Sequence, residues 1–108
     1  MTIACGVKVE QEGRNGGQVS RLWVAELRIS QRTAQKLNQK HGLSVEEVRD
    51  AIVCVSGLPF AWDDHKLRGL RAIVETRIRG RRVLVVLYPA DGPFGDSWHL
   101  GSAYPVGA

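Results

Sequence analysis

Apolar residues recur along this chain in three rhythms. Val45, Val48, Ala51, Ile52 and Val55 fall at the three-four spacing of one helical face. Ala72, Val74, Thr76 and Ile78 alternate with Arg71, Ile73, Glu75, Arg77 and Arg79, so a strand there turns the first set toward a core and the second away from it. Residues 83–88, Val-Leu-Val-Val-Leu-Tyr, are apolar without a break, which suits a central strand covered on both sides. Between these last two runs, Arg79-Gly80-Arg81 reads as a hairpin turn.

The remaining elements are fainter. Residues 22–29 alternate in part and carry Trp23, Val24, Leu27 and Ile29, which favours a strand. Ser30 can cap a helix reaching about His41. Its apolar stripe is narrow: Ala34 and Leu37, with Thr33 and the stems of Lys36 and Lys40 beside them. Residues 57–66 hold Pro59, Phe60 and Trp62, then Asp63-Asp64-His65. They read as a connection whose aromatics plug the edge of the core or form a partner surface, and whose polar run is a turn, not a metal site. A Pro- and Gly-rich loop over 89–96 leads to a last strand, Trp98 to Tyr104, ending at Pro105. In regular alternation Trp98, Leu100, Ser102 and Tyr104 share a face, and His99 joins Tyr104 only across a bulge. Residues 3–9 can form a short strand, and the polar, glycine-rich stretch 10–20 a loop. The expected organisation is a flexible segment over 1–20 and a single domain over 21–108.

The two helices meet at a sharp corner, Lys40-His41-Gly42-Leu43-Ser44. Gly42 supplies the left-handed position that closes the first helix. Ser44 and Glu47 stand at the spacing of a capping box and open the second. Lys40 and His41 are left at the corner, where cations suit a helix C-terminus. Strand, helix, helix and then a three-stranded antiparallel meander is the order of an α+β domain. The expected fold is two consecutive helices packed on one face of an antiparallel β-sheet.

The 108 residues suffice for one core. Net charge is +4, and the excess is mainly arginine, eleven Arg against four Lys. Arginine favours bidentate contact with phosphate or carboxylate, so the surplus points to RNA or to an acidic protein. Cys5 and Cys54 can pair as a disulfide, although nothing else marks a secreted disulfide scaffold, and they show no metal-ligand spacing. Cys54 ends an apolar run and reads as a buried small hydrophobe. No signal peptide, membrane-spanning run, P-loop, nucleophile elbow or dinucleotide fingerprint is legible. The expectation is a cytoplasmic protein with no cofactor and no metal.

The leading chemical feature is the arginine face of the hairpin. Arg71, Arg77 and Arg79 project opposite the core residues, with Arg81 and Arg82 at the tip. Guanidinium groups there can bind phosphate and stabilise charge that builds during phosphodiester cleavage. Glu75 lies among them as a base or an ion-pair partner. At the helix corner, His41 is the side chain type that titrates near neutral pH.

Residues 36–48, Lys-Leu-Asn-Gln-Lys-His-Gly-Leu-Ser-Val-Glu-Glu-Val, resemble the BrnT-like toxins. These belong to the RelE/ParE-type toxins of bacterial type II toxin–antitoxin systems. Asn38 and Lys40 through Glu47 fit the family pattern. Gly80-Arg81-Arg82-Val83-Leu84-Val85-Val86 looks like the family's Gly-Arg turn before an apolar strand, and Gly101-Ser102-Ala103-Tyr104 like its last strand, with Tyr104 where an Arg is usual. The resemblance spans roughly 30–105 and implies a RelE-like α+β fold, mRNA cleavage without metal, and neutralisation by an antitoxin.

Two functions follow. In the first, a metal-independent endoribonuclease toxin, His41 or Glu75 acts as base, Lys40 as electrostatic helper and Arg77 on the phosphate. Arg71, Arg79 and Arg82 would then bind RNA, and Tyr104 stack on a base. In the second, the same basic surface belongs to a non-catalytic module that holds an acidic protein or RNA.

Overall fold

The computed structural model describes residues 21–106. The strand expected over 3–9, the segment 1–20 and any pairing of Cys5 lie outside them. About half of the described residues are in strands and about a fifth in helices. The strands are β1 (Arg21–Leu22), β2 (Glu26–Arg28), β3 (Leu58–His65), β4 (Gly69–Ile78), β5 (Arg81–Pro89) and β6 (Ser97–Pro105). Both helices are short: α1 (Gln31–Lys36), which continues as a π-helical turn over Leu37–His41, and α2 (Val45–Ile52).

The strands form one sheet in the order β1-β3-β4-β5-β6-β2. Neighbours are antiparallel except β2, which runs parallel to β6. One continuous segment, 21–28, therefore pairs with both ends of the strand order: Leu22 with Leu58 in β3, and Leu27 with Trp98 in β6. The sheet curls into a half-barrel to allow this. Where the segment crosses, Val24 bridges Val53, and its carbonyl accepts a hydrogen bond from the Cys54 N–H at 2.8 Å.

This architecture overturns the expected layer of two consecutive helices on one face of an antiparallel sheet. Residues 57–66 are the main reason. They are not a connection: Phe60 pairs with Val74, Trp62 with Ala72 and Asp63 with Arg71, giving a full strand. Aromatic residues favour strands, but Pro59 and the acidic pair hid the alternation. Pro59 is tolerated because it lies where β3 meets only the two residues of β1. Asp63-Asp64-His65 is consequently strand, not turn. The first helix also contributes little, since α1 buries no residue of its own and only Leu37 of the following turn enters the core. Its main contacts with the sheet are to β6. The second helix stops at Ile52, where Val53 turns extended to meet Val24. Cys54 adopts φ +60° and is half-buried rather than a core hydrophobe.

The core fills the concave side. Val48 and Ile52 of α2 pack with Leu22, Val24 and Leu27 of the crossing segment and with Ala72, Val74, Val85 and Leu87 of the sheet. The alternation expected in β4 holds from Ala72 to Ile78, and β5 is central, with Val83, Val85 and Leu87 inward and Val86 buried on the opposite face. In β6 the expected face is broken. Leu87 pairs with Leu100 but Val86 with Ser102, so Gly101 is an extra residue. After this bulge Ala103 faces the core, and Ser102 and Tyr104 turn outward with His99. Glycine is required there, because a Cβ at Gly101 would stand 2.4 Å from the Tyr88 ring.

Candidate functional site

The helix corner forms as its residues dictate. Gly42 takes φ +65°, and its N–H donates to the Asn38 carbonyl at 3.1 Å while the Leu43 N–H donates to the Leu37 carbonyl at 3.1 Å. These bonds close a helix end whose carbonyls would otherwise be orphaned. Next, the Ser44 N–H donates to Glu47 Oε1 at 3.0 Å and the Glu47 N–H to Ser44 Oγ at 3.1 Å, both halves of the capping box. Above Gly42 the chain winds as a π turn, which brings residues four and five apart over one another. Lys36, Lys40 and His41 thereby share the side that faces β6.

Two clefts open at this corner. The first, about 230 Å³, is lined by Thr33, Lys36, Leu37, Lys40 and His41, by Arg68 of the β3–β4 turn, and by Gly101 and Ser102. The second, about 280 Å³, lies on the other side of His41 and is lined by Gly42, Leu43, Ile78, Arg79, Arg81, Val83 and Pro105. Neither has a carboxylate in its lining. The His41 and Tyr104 rings lie 6.3 Å apart with planes at 43°.

The cations that line the clefts differ in their partners from several others on the sheet. Arg71 pairs with Asp63 at 2.6 Å, Arg82 with Glu75 at 2.9 Å and Arg28 with Glu26 at 3.2 Å. Asp63 first, and then the Tyr88 hydroxyl, hold the Arg71 guanidinium in its charged form. Arg77 donates to the Gly80 carbonyl at 3.2 Å. Arg79 donates to the Gly42 carbonyl at 2.7 Å and to Glu47 Oε1 at 3.0 Å. By contrast Lys36, Lys40, Arg68 and Arg81 make no ion pair among the described residues.

The hairpin face expected from the sequence therefore divides. Arg71, Arg77, Glu75 and Arg82 do lie on the side of the sheet away from the core, but the charges of Arg71 and Arg82 are matched by carboxylates. Arg79 is not on that face. It takes φ +54° in the turn and swings to the helix side, where it clasps α2. Glu75 lines a separate groove with Pro59, Ile73 and Leu84, so it does not share a cleft with His41. Lys40 and His41 do line one cleft, and Tyr104 lies beside His41 without lining either cleft. Arg81, expected at the hairpin tip among the phosphate-binding guanidinium groups, lines the second cleft, and the site residues with no expected role are Lys36 and Arg68. The four-residue spacing of Lys36 and Lys40 was a legible signal. Nothing local marks Arg68, whose place beside Ser102 is set by the curl of the sheet.

Among the described residues no group of three or more His, Cys, Asp or Glu side chains is arranged to hold a metal ion, and no helix is long and apolar enough to cross a membrane. No family model matches the chain, and neither a curated protein nor a solved structure gives a significant match to it.

Proposed function

We propose that this chain binds RNA at the His41 corner and cleaves it without metal, as an endoribonuclease of the toxin type. The observation that carries the reading is the cleft in which unpaired Lys36, Lys40 and Arg68 surround His41 with no carboxylate in the lining. A phosphodiester supplies the missing negative charge. In-line attack then needs little more: His41 takes the proton of a ribose 2′-hydroxyl, the 2′-oxygen bonds to phosphorus, and the bond to the 5′-oxygen breaks as solvent protonates it. The cations stabilise the charge that accumulates on the phosphorane. Tyr104, beside His41, offers a ring for a base to stack on. Within this reading Arg71 and Arg82 tune the surface rather than grip RNA, and Glu75 is not the base. The toxin assignment, with an antitoxin as partner, rests on the motif at 36–48.

Induced expression in a bacterial host tests it. Growth arrest with cleaved transcripts is expected, and a chain carrying Lys36→Ala and Lys40→Ala is expected to be harmless although folded. A parent chain that leaves growth and transcripts unaffected would instead favour the non-catalytic module. Trp62 and Leu70, 51% and 50% exposed on adjacent strands, give that second reading an apolar contact surface.

A further inference from the structure

Resting on the RNA reading above, we infer that the ligand is a single strand long enough to set consecutive phosphates on either side of His41, one in each cleft. His41 is the wall the two clefts share. On one side stand Lys36, Lys40 and Arg68; on the other, Arg81 is the cation left over, because Arg79 is already held by Glu47 and the Gly42 carbonyl. At about 230 and 280 Å³ each cleft is smaller than the pocket a drug-sized ligand occupies, so each takes a fragment such as a phosphate with part of its sugar. The second cleft also has an apolar floor of Leu43, Ile78 and Val83, which suits the face of a sugar or base better than a second free anion. Tyr104 lines neither cleft but stands beside His41, the wall they share, where an unstacked base can lie on its ring. A duplex keeps its bases stacked and cannot deliver one there. Arg81 is thus a positioning residue: it acts by fixing the strand across His41, not by touching the reacting phosphate.

The test uses the whole chain with 2′-O-methyl oligouridylates, which cannot be cut by attack of the 2′-oxygen, and measures binding against salt. A hexanucleotide is expected to bind at least about tenfold tighter than a single nucleotide, which corresponds to ~1.4 kcal/mol. Arg81→Ala should weaken the hexanucleotide several-fold and reduce the slope of log affinity against log salt by ~0.7, the share of one phosphate on a single strand. It should leave the single nucleotide unchanged, and Arg81→Lys should restore the slope. Lys40→Ala should weaken both ligands. If Lys40→Ala weakens binding but Arg81→Ala leaves the slope intact, the second cleft is not on the RNA path and the inference falls while the RNA reading stands. If the hexanucleotide binds equally well when annealed to its complement, the single-strand requirement is wrong. If neither substitution changes binding, or the oligonucleotides do not bind, the RNA reading itself falls.

Discussion

The imidazole of His41 and the phenol of Tyr104 lie 6.3 Å apart, tilted by 43°, and join the helix corner to the last strand. The contact exists because the bulge at Gly101 shifts the alternation of β6 and turns Tyr104 out of the core. Tyr104→Ala is expected to weaken single-stranded RNA binding by about 1–3 kcal/mol, the usual loss of one base–aromatic stack. Tyr104→Phe keeps the ring and should bind like the parent. Equal binding by parent and Tyr104→Ala would remove this ring from the RNA path.

The bulge itself can be tested through packing. Gly101→Ala places a methyl group 2.4 Å from Cε2 of Tyr88 and 3.4 Å from the Val86 carbonyl. A destabilisation of about 1–3 kcal/mol is expected in urea denaturation, as for other overpacked sites. In a Tyr88→Ala background the added cost of Gly101→Ala should shrink, since the ring that collides is gone. Strictly additive effects would show that the ring is not what excludes a side chain.

Loss of the cap at the second helix has a known scale. Ser44→Ala removes the oxygen that accepts from the Glu47 N–H and is expected to lower stability by about 1 kcal/mol. An unchanged denaturation midpoint would mean that the capping box does not hold α2.

Acid should loosen the clasp between α2 and the hairpin. The Ser44 backbone N–H, and after it Arg79, hold the Glu47 carboxyl below the ordinary glutamate range. A carboxylate depressed in the folded state adds stability above its unfolded value, and that stability drains away as pH falls through the folded value. Stability of the parent should therefore decline below the usual glutamate range. In Glu47→Gln this part of the decline should vanish, with stability near neutral pH already lower. Identical acid profiles for the two chains would show that Glu47 is not a contributor.

The sequence made local geometry legible where one residue type has one physical solution. Gly42 and the Ser44–Glu47 pair set the corner, and the inward set of β4 followed from its period of two. It failed where tertiary structure decides. Residues 57–66 look like a loop because a proline and two aspartates interrupt the pattern, yet β4 supplies a partner for every residue from Phe60 to His65. A single segment spanning both edges of a curled sheet leaves no local trace in residues 21–28. The site split the same way. Lys40 and His41 are visible from the corner, whereas Arg68 and Arg81 join them only through tertiary contacts. The arginine alternation was real, but its charge was neutralised by Asp63 and Glu75. Arg79 left the face because a turn residue at positive φ no longer obeys strand alternation.

Whether RNA is cut at the His41 corner is tested most directly by the ends of its products. A single-stranded RNA incubated with the purified chain in excess chelator should yield fragments ending in a 2′,3′-cyclic phosphate. His41→Gln should bind the same RNA with little change in affinity and produce none. Intact RNA after exposure to the parent chain, or cleavage that persists in His41→Gln, would contradict the account.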